Sequence, residues 1–355
     1  MKQKHSTETI PVRAGEELNR GRLEAYLRAK LEGLPNESLE IEQFSAGHSN
    51  LTYQLRIGDW EAVLRKPPLG PVAPKAHDMK REFTILSELS QVFDPAPRPL
   101  FFSNELEVVG SSFFVMERKQ GYVFDTEIPQ GVQASKELYQ NISREMVTQL
   151  VNLHQIPYEE TKLAEMSKPD GFMERQTYGW IQRYEKAKTH DVPAAEEVAK
   201  WLASHIPNRS EAAVIHYDYK LNNAMFTDNG SRMSGLFDWE MTTVGDPLAD
   251  LGVALSYWTS KDDPEFLQKG LGKASITNRE GFYSREKFLD EYVNLSGRDI
   301  TDMKFYMVFA YFKLAGICQQ IYYRYHRGQT KDERFKDLHL YVKGLIEYAA
   351  QVMRT

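Results

Sequence analysis

The sequence predicts an α+β fold of two lobes, because its pattern of polar and apolar residues changes once along the chain. In about the first 120 residues, runs of alternating polarity are separated by short turns, which is typical of an antiparallel sheet. After Gly121, apolar residues recur at helical spacing, and from about residue 248 nearly every stretch follows that pattern. The 355 residues are enough for two domains or for one domain of two lobes.

The N-terminal lobe, residues 1–117, is predicted to be a small sheet with one principal helix. A helical extension within residues 1–35 comes first, where ELNRGRLEAYLRAKL has the required spacing. Three strand-like runs follow, LEIEQFSAG, NLTYQLRI and EAVLRKPP, and the break IGDW between the last two indicates a hairpin. HDMKREFTILSELS (77–90) predicts the principal helix. The run 100–121 returns to strands, and its last four residues, 118–121, are predicted to form a hinge.

The C-terminal lobe, residues 122–355, is predicted to be mostly helical. LYQNISREMVTQLVNLHQ, RQTYGWIQRYEKAKTH and AEEVAKWLASHI are amphipathic at helical spacing. Two shorter stretches, VIHYDYKLNNAMF (214–226) and SGLFDWE (234–240), are flanked by Gly, Asn and Asp, which predicts short strands joined by loops. The first stretch has the apolar ends of a buried strand around a strongly polar middle.

The composition argues against several classes of partner. The net charge of −6 and a pI near 5.9 provide no general attraction to nucleic acid or to an anionic membrane surface. Cys318 is the single cysteine, so neither an internal disulfide nor a cysteine-based metal site can form, and its apolar neighbours predict a buried structural thiol. Residues 1–15 lack the apolar core of a signal peptide, and no run of about 18 uncharged apolar residues occurs. A cytoplasmic protein without nucleic-acid or membrane partners is therefore the expectation.

The signatures of several other chemistries are missing from the chain. It contains no G-x-x-x-x-G-K-[ST] loop, no G-x-G-x-x-G turn opening a dinucleotide-binding unit, and no H-E-x-x-H zinc helix. It also lacks the G-x-S-x-G turn of many hydrolases.

One set of polar residues instead follows an order that suits phosphoryl transfer from a nucleotide. The set comprises the small-residue turn FSAGHSN, the strand end AVLRK, Glu82 on the next helix, Asp218 and Asn223 in 214–226, and Asp238 in FDWE. Backbone N–H groups of a tight turn can approach phosphates, a cation held by a carboxylate can pair with them, and oxygen ligands can hold Mg²⁺. Because the transition state spreads charge over the phosphoryl oxygens, positioning and electrostatics supply most of the catalysis. FSAGHSN alone is also compatible with an ordinary hairpin turn.

These segments resemble a known family. HYDYKLNN is similar to the catalytic loop H-G-D-x-x-x-x-N of the aminoglycoside phosphotransferase family, which is related to protein kinases, and FDWEMTTVGDPLADLG is similar to its metal-binding segment. SAGHSNLTYQL, AVLRKPPLG, KREFTILSEL, PRPLFF and FFVMERKQGYVF resemble its N-terminal lobe in the same order. RQTYGWIQRYEKAKT and KLAGICQQIYYRYHRG resemble the kinase-like domain of the acyl-CoA dehydrogenase ten and eleven subgroup. The resemblance covers about residues 40–350 and implies a protein-kinase-like two-lobed fold.

The resemblance also implies roles for the matched residues, with ATP or another nucleoside triphosphate and Mg²⁺ as cofactors. Asp218 matches the catalytic base, and Asn223 and Asp238 match the Mg²⁺ ligands. The nucleotide-binding residues are then Gly47, His48, Ser49, Asn50, Arg65, Glu82 and Glu117. Within this set, Glu82 matches the helix glutamate that pairs with the strand cation.

The chain departs from the family pattern at three positions. The strand cation is often lysine in the family, whereas AVLR places Arg65 there, and Lys66 should point to the opposite face of the strand. Arginine stays charged and can contact phosphate through two N–H groups. Tyr217 stands where the family has glycine, so its Cβ is expected to restrict the loop or to fill part of the acceptor pocket. The turn FSAGHSN has a single glycine, Gly47, which predicts a weaker phosphate cradle.

Several polar residues near these motifs have structural interpretations. The His216 ring is expected to bond the backbone near the loop, and Asp250 is expected to anchor the backbone of that loop. Asp246 precedes Pro247, which is typical of a helix N-cap followed by proline at the first helical position. Lys220 is equally compatible with contact to the γ-phosphate and with a solvated position.

The candidate acceptor-binding residues are Tyr217, Lys220, Trp239, Glu240, Arg183 and Arg324. Arg183 lies with Arg175, Trp180 and Tyr184 on one predicted helix, and Arg324 lies near the C-terminus. These residues are compatible with core aromatics beside a solvated basic edge. Alternatively, one or two of the arginines bind a carboxylate or phosphate of the acceptor.

The function expected from the sequence is ATP- and Mg²⁺-dependent transfer of a phosphoryl group to a hydroxyl of a small molecule. The arginines favour an anionic acceptor, such as a hydroxy acid or its thioester, and an aminoglycoside is the alternative. A nucleotide-binding pseudokinase without catalysis is an alternative of another class, favoured by Tyr217 and the single glycine of the turn. A protein kinase is disfavoured, because VGDPLAD follows Asp238 too closely to leave room for a peptide-docking loop.

Overall fold

The computed structural model describes residues 9–45, 50–69, 77–208, 211–270 and 274–355. It confirms the α+β class. Two compact units are present: Met1–Gly121 with Ser234–Glu240 form the first, and Tyr122–Met233 with Met241–Thr355 form the second. The segment that carries Asp238 therefore groups with the N-terminal unit, whereas the sequence assigned it to the C-terminal lobe.

The part of the first unit up to Gly121 has six strands and three helices within the described residues. The strands are β1 (Thr9–Ile10), β2 (Glu40–Phe44), β3 (Leu51–Ile57), β4 (Trp60–Lys66), β5 (Pro99–Ser103) and β6 (Phe113–Glu117). The helices are α1 (Arg20–Lys30), α2 (Met79–Leu89) and α3 (Leu106–Val109). The strands form one antiparallel sheet in the order β1-β2-β3-β4-β6-β5.

The hairpin predicted at IGDW is present between β3 and β4, where Ile57 pairs with Trp60. Gly58 has a φ of 58° in this turn, a left-handed conformation that glycine adopts without steric cost. The sequence missed α3, which interrupts a run predicted to consist of strands. Its two valines, Val108 and Val109, are buried, and the left-handed residue Gly110 ends the helix after four residues.

The core of this unit lies between the sheet and α1. The Asn19 side chain caps α1 by accepting a hydrogen bond from the Arg22 N–H, and the helix buries Leu23 and Leu27. Apolar residues of β3 and β4 pack against them; they are Leu51, Tyr53, Leu55, Ile57, Ala62 and Leu64. The packing fixes which way the strand side chains point, because successive residues of a strand face opposite sides.

The second unit is mostly helical, as predicted. Its strands are β7 (Tyr122–Val123), β8 (Ala213–Ile215), β9 (Ala224–Phe226) and β11 (Thr243–Gly245). A further strand, β10 (Met233–Leu236), has its first residue in this unit and its other three residues in the first unit. The helices of the second unit are α4 (Lys136–His154), α5 (Leu163–Met166), α6 (Phe172–Ala187), α7 (Pro193–Ser204), α8 (Pro247–Tyr257), α9 (Glu265–Lys269), α10 (Arg285–Ser296), α11 (Met303–His326) and α12 (Leu338–Arg354).

Two short strand pairs flank the polar part of the 214–226 segment. β8 pairs antiparallel with β11, and β7 pairs antiparallel with β9. All residues of β8 and β9 are buried, which confirms that the apolar ends of this segment form strands. A 3-10 turn at Leu221–Asn223 links the polar loop to β9. The loop is therefore held at both ends by buried β-structure.

Helices α8 and α11 pack closely against each other behind this loop. A Cβ on Gly252 of α8 would lie 2.8 Å from the carbonyl oxygen of Tyr306 on α11, so glycine permits the close approach. Asp246 caps α8 by accepting a hydrogen bond of 2.9 Å from the Leu248 N–H, with Pro247 at the first helical position, as predicted. Cys318 of α11 is buried, and burial raises the pKa of its thiol to about 12. Within the described ranges, no helix combines the length and apolar character needed to cross a bilayer.

Candidate active site

Asp218 lies in the loop between β8 and the 3-10 turn, and two side chains contact its carboxylate. The Asn223 amide donates a hydrogen bond of 3.0 Å to Asp218 Oδ2 and another of 3.0 Å to the Asp218 carbonyl oxygen. The Lys220 ammonium lies 2.8 Å from the same Oδ2. The loop thus holds an amide and an ammonium within hydrogen-bonding distance of one carboxylate.

Asp250 of α8 anchors the backbone that leads into Asp218. Its two carboxylate oxygens accept hydrogen bonds of 2.7 Å from the His216 N–H and 2.8 Å from the Tyr217 N–H. His154 of α4 lies 3.2 Å from Asp250 Oδ2 through Nε2, and its Nδ1 lies 2.8 Å from the Tyr292 hydroxyl. This confirms the anchoring role predicted for Asp250, whereas the sequence did not indicate its partner His154.

The electrostatics of this anchor follow from complete burial. Burial alone would raise the pKa of Asp250, but the hydrogen bond and charge of His154 and the contacts with His216 outweigh it, and the pKa is lowered. Burial lowers the pKa of His154. The His216 ring is also buried, and its Nδ1 accepts a hydrogen bond of 3.3 Å from the Asp218 N–H, which matches its structural interpretation.

Tyr217, the residue that replaces the family glycine, has a left-handed φ of 64°. Glycine adopts this conformation freely, whereas a bulky residue does so at a cost in free energy. The side chain is buried; its ring packs edge-on against Phe172 at 5.7 Å, and its hydroxyl donates to Gln176 Oε1 at 3.2 Å. Tyr217 therefore fills space between the loop and α6.

Two residues that the sequence did not single out lie beside this loop. Lys313 of α11 is 3 % exposed, and its ammonium donates a hydrogen bond of 2.9 Å to the Tyr217 carbonyl oxygen. Tyr257 ends α8; burial and the charge of Asp218 raise the pKa of Tyr257 well above its usual value, so its hydroxyl stays protonated. A single lysine inside the apolar run MVFAYFKLAGIC is the sequence signal that could have identified Lys313.

In the first unit, the buried Arg65 is the centre of a cluster of carboxylates, of which Glu82 is buried and Asp238 and Glu240 are partly buried. Its guanidinium donates a hydrogen bond of 3.1 Å to Glu82 Oε2 and one of 2.6 Å to Asp238 Oδ1. Burial opposes the charge of Arg65, but Glu82, Asp238 and Glu240 outweigh it and raise the pKa of the guanidinium. Lys66 donates to the Val109 carbonyl oxygen at 2.5 Å instead. The structure thus brings Arg65, rather than Lys66, together with Glu82.

Asn50 and Glu240 extend this cluster. The Asn50 amide nitrogen donates to Glu240 Oε2 at 3.1 Å, and the Asn50 amide oxygen lies 2.8 Å from His77 Nδ1. Burial and the negative charge of Asp238 raise the pKa of Glu240 to about 7. The other predicted turn residues, Gly47, His48 and Ser49, lie outside the described residues.

Two further candidates of the first unit have structural contacts. Glu117 ends β6, accepts a hydrogen bond of 2.8 Å from the Arg98 N–H, and lies 2.9 Å from the Lys119 ammonium. Trp239 is buried, packs edge-on against Phe93 at 6.0 Å, and donates to the Leu236 carbonyl oxygen at 2.7 Å. These contacts account for the packing of Trp239 as a core residue.

The arginines predicted to contact the acceptor are exposed in the second unit. Arg183 lies on α6 with its guanidinium 4.7 Å from the centre of the Trp180 ring. Arg324 lies on the last turns of α11, roughly 16 Å along the helix axis from Lys313 at 1.5 Å per residue. The Lys220 ammonium lies 2.8 Å from Asp218, and the charge of Asp218 acts on Lys313, whereas the charge of Arg183 acts on Tyr217.

Comparison with known proteins identifies the family. Residues 40–282, more than half of the chain, match the phosphotransferase enzyme family (APH). The chain belongs to the phosphotransferase enzyme family. This confirms the resemblance inferred from HYDYKLNN and FDWEMTTVGDPLADLG.

Members of two groups of larger proteins resemble most of the chain. Acyl-CoA dehydrogenase family member 11 of Gallus gallus is 33% identical over 98% of this chain and 45% of its own length. Acyl-CoA dehydrogenase family member 10 of Mus musculus is 31% identical over 91% of this chain and 30% of its own length. The phosphotransferase family chain thus spans less than half the length of these curated relatives.

Solved structures confirm the kinase-like fold. A crystal structure from Ralstonia eutropha, assigned to the aminoglycoside phosphotransferases, superposes with a TM-score of 0.80 and 27% identity, covering 95% of this chain and 99% of that chain. A thermostable aminoglycoside phosphotransferase in complex with ADP and hygromycin B has a TM-score of 0.59 at 15% identity, covering 93% and 98% of the two chains. Family and fold together support phosphoryl transfer to a small molecule.

Proposed function

We propose that this chain transfers the γ-phosphoryl group of ATP to a hydroxyl of a small anionic molecule, with Asp218 as the catalytic base. The arrangement at Asp218 carries the proposal: a carboxylate contacts the Asn223 amide and the Lys220 ammonium on a loop whose backbone Asp250 holds. A base needs a fixed position, because proton transfer is efficient only within hydrogen-bonding distance of the acceptor hydroxyl.

In the proposed reaction, Asp218 accepts the proton of the acceptor hydroxyl as the hydroxyl oxygen attacks the γ-phosphorus. The bond between that phosphorus and the bridging oxygen of ADP breaks, and ADP leaves. Lys220, 2.8 Å from Asp218, is placed to balance negative charge near the attacking oxygen. Arg65, held by Glu82, is the proposed cation for the nucleotide phosphates.

The donor atoms of the proposed metal ligands fit Mg²⁺. Asn223 directs its amide nitrogen to Asp218, which leaves the amide oxygen without a hydrogen bond among the described residues. An amide oxygen and the carboxylate of Asp238 are the hard oxygen ligands that Mg²⁺ prefers. When bound, Mg²⁺ would neutralise charge on the phosphates.

The charges around Asp218 support an anionic acceptor, such as a hydroxy acid or its thioester. Lys220 and Lys313 both lie near Asp218, and the charge of Asp218 acts on Lys313. A cationic aminoglycoside, the alternative acceptor, would have to approach these two lysines. The assignments of Tyr217, Trp239, Glu240, Arg183 and Arg324 to the acceptor stay predictions.

The test combines a metabolite screen with one conservative variant. The protein is incubated with Mg²⁺ and ATP against hydroxy acids, hydroxyacyl thioesters and aminoglycosides, and products that gain one phosphoryl group are detected by mass. Asp218→Asn is expected to lower turnover by about 10²-fold or more, because general base catalysis is lost. The variant should still show the rise in Tm that Mg²⁺–ATP causes in the wild type. Near-normal turnover of Asp218→Asn would overturn the assignment.

Asp228→Asn is the matched control, since Asp228 is an exposed carboxylate in the same unit. It is expected to leave turnover unchanged. The screen also separates the alternatives: phosphorylated aminoglycosides would indicate an antibiotic phosphotransferase. A rise in Tm with Mg²⁺–ATP but no product from any compound would indicate a nucleotide-binding pseudokinase.

A further inference from the structure

Both backbone polar groups of Tyr217 are held by buried charged side chains from two different helices. Asp250 of α8 accepts the Tyr217 N–H at 2.8 Å, and Lys313 of α11 donates to the Tyr217 carbonyl oxygen at 2.9 Å. The carboxylate of Asp250 and the ammonium of Lys313 thus hydrogen-bond the two peptide groups on either side of Tyr217. The next residue in the chain is Asp218.

The backbone conformation of Tyr217 explains why these two hydrogen bonds are required. Its φ of 64° is adopted readily by glycine, whereas a bulky side chain destabilises it. A residue in this region keeps its conformation only where the surrounding structure enforces it. The hydrogen bond from Lys313 enforces it on the carbonyl side, which is the side that leads to Asp218.

The Tyr217 side chain, in turn, helps to stabilise the buried charge of Lys313, on which the carboxylates of Asp218 and Asp250 also act. The Lys313 ammonium lies 3.8 Å from the centre of the Tyr217 ring, at the distance of a strong cation–π contact, and 5.9 Å from the centre of the Trp180 ring. Its single hydrogen bond among the described residues goes to the Tyr217 carbonyl oxygen. A buried ammonium with so few acceptors depends on these contacts, since burying an uncompensated charge is costly.

We propose that Lys313 is a positioning residue for the catalytic carboxylate, and that it and Tyr217 form an interdependent pair. Lys313 holds the strained backbone of Tyr217, so that Asp218 is aimed at the acceptor, and the Tyr217 ring compensates the charge of Lys313. The assignment of the aimed group as a base rests on the proposed function; the interdependence of the pair does not.

A double-mutant cycle on the folding equilibrium tests the interdependence. Tyr217→Gly relieves backbone strain but removes the aromatic ring that contacts the Lys313 ammonium. The variant is therefore expected to lower the folding equilibrium constant at pH 7 at least 10-fold. In a Lys313→Met background, position 313 carries no charge for the ring to compensate. There, the factor by which Tyr217→Gly lowers the folding equilibrium constant should be at least 10-fold smaller. If Tyr217→Gly lowers the folding equilibrium constant by the same factor in both backgrounds, Lys313 and Tyr217 are not interdependent and the proposal is wrong. If Lys313→Met does not fold, Lys313→Gln, which keeps a donor for the carbonyl but removes the charge, replaces it in the cycle.

Amide hydrogen exchange tests the positioning role without requiring turnover. Lys313→Met is expected to speed exchange at least 10-fold in the peptide covering residues 214–223, while peptides of α12 exchange as in the wild type. Lys343→Met, an exposed lysine on α12, is the matched control and should leave both peptides unchanged. Unchanged exchange in residues 214–223 of Lys313→Met would refute the positioning role.

Kinetic measurements with the acceptor found in the screen distinguish a positioning role from a simple loss of stability. Lys313→Met is expected to lower kcat at least 10-fold while KM for ATP stays within about two-fold. An unchanged kcat together with altered exchange would limit Lys313 to a structural role. If the wild type turns over no compound, the proposed function fails, whereas the cycle and the exchange measurement still decide whether Lys313 positions the loop.

Discussion

The guanidinium of Arg65 donates a hydrogen bond of 2.6 Å to the carboxylate of Asp238, although the two residues are 173 positions apart in the chain. The same guanidinium binds Glu82, so one buried cation joins a strand, a helix and the segment Ser234–Glu240 of the first unit. Because Glu240 adds a further carboxylate nearby, the cluster depends on the charge of Arg65.

Replacement of Arg65 by methionine is expected to lower the free energy of unfolding by about 3–5 kcal/mol, because the change leaves the buried Glu82 and the partly buried Asp238 without their cation. The loss is measured by urea denaturation at pH 7. Arg56→Met is the control: Arg56 lies on the neighbouring strand β3 and pairs with Glu40 at the surface, so its loss should cost about 1 kcal/mol or less. Similar losses of unfolding free energy for the two variants would contradict the importance of the cluster around Arg65.

Replacement of Asp250 by asparagine is expected to destabilise the protein by about 3 kcal/mol, since an amide has one acceptor oxygen for the two backbone N–H groups that Asp250 binds. The pKa of Asp250 is lowered in the folded state, so its contribution is present at neutral pH and is lost as the pH falls through the folded-state pKa. The variant should therefore differ from the wild type less at low pH. Asp290→Asn, an exposed position on α10, should be neutral at every pH in the same denaturation series.

The unfolding free energy should depend on pH through Lys313. Burial lowers the pKa of Lys313 to about 8, whereas an unfolded lysine titrates near 10.5. Between these values the unfolded state binds the extra proton, so stability rises with pH by about 1.4 kcal/mol per pH unit. The buried charge of Lys313 destabilises the folded state fully below pH 8, and this cost decreases as the pH rises toward 10.5. The charges that act on Lys313 are those of Asp218, Asp250 and Lys220.

The measurement is the difference in unfolding free energy between the wild type and Lys313→Met from pH 7 to 10. Other titrating groups, including the buried tyrosines, largely cancel in this difference. It should rise above pH 8 by roughly 2 kcal/mol at most over this range. The corresponding difference for Lys343→Met should stay flat, and a flat curve for Lys313→Met would mean that Lys313 keeps an ordinary pKa.

Two helical glycines should respond to alanine in opposite directions. The Cβ of Gly252→Ala would lie 2.8 Å from the Tyr306 carbonyl oxygen, so α8 and α11 must move apart at a cost of about 1–3 kcal/mol. On α6, the Cβ of Gly179→Ala meets only the flexible end of the Arg183 side chain, at 3.1 Å. Alanine there should stabilise the protein by up to about 1 kcal/mol through helix propensity. Thermal unfolding of both variants measures the contrast.

The sequence predicted the elements of this fold where the local pattern reflects local structure. The apolar ends of VIHYDYKLNNAMF become β8 and β9, and Asp246 caps a helix that begins with proline. The anchoring role of Asp250 was predicted as well. The short helix α3 was missed, because a four-residue helix provides too few positions for a period of 3.6 residues to be recognised.

What the sequence by itself determined is the set of chemical groups and the order of the strands and helices that carry them. Only the tertiary structure decided which of these groups meet. Lys313 reaches Tyr217 across 96 positions, and Arg65 reaches Asp238 across 173. Neither pair has a local signature in the sequence, because the partners lie far apart along the chain. A buried charge is tolerated only where such partners compensate it. Tyr217, where the chain departs from the family pattern, therefore has in Lys313 a partner that only the tertiary structure shows.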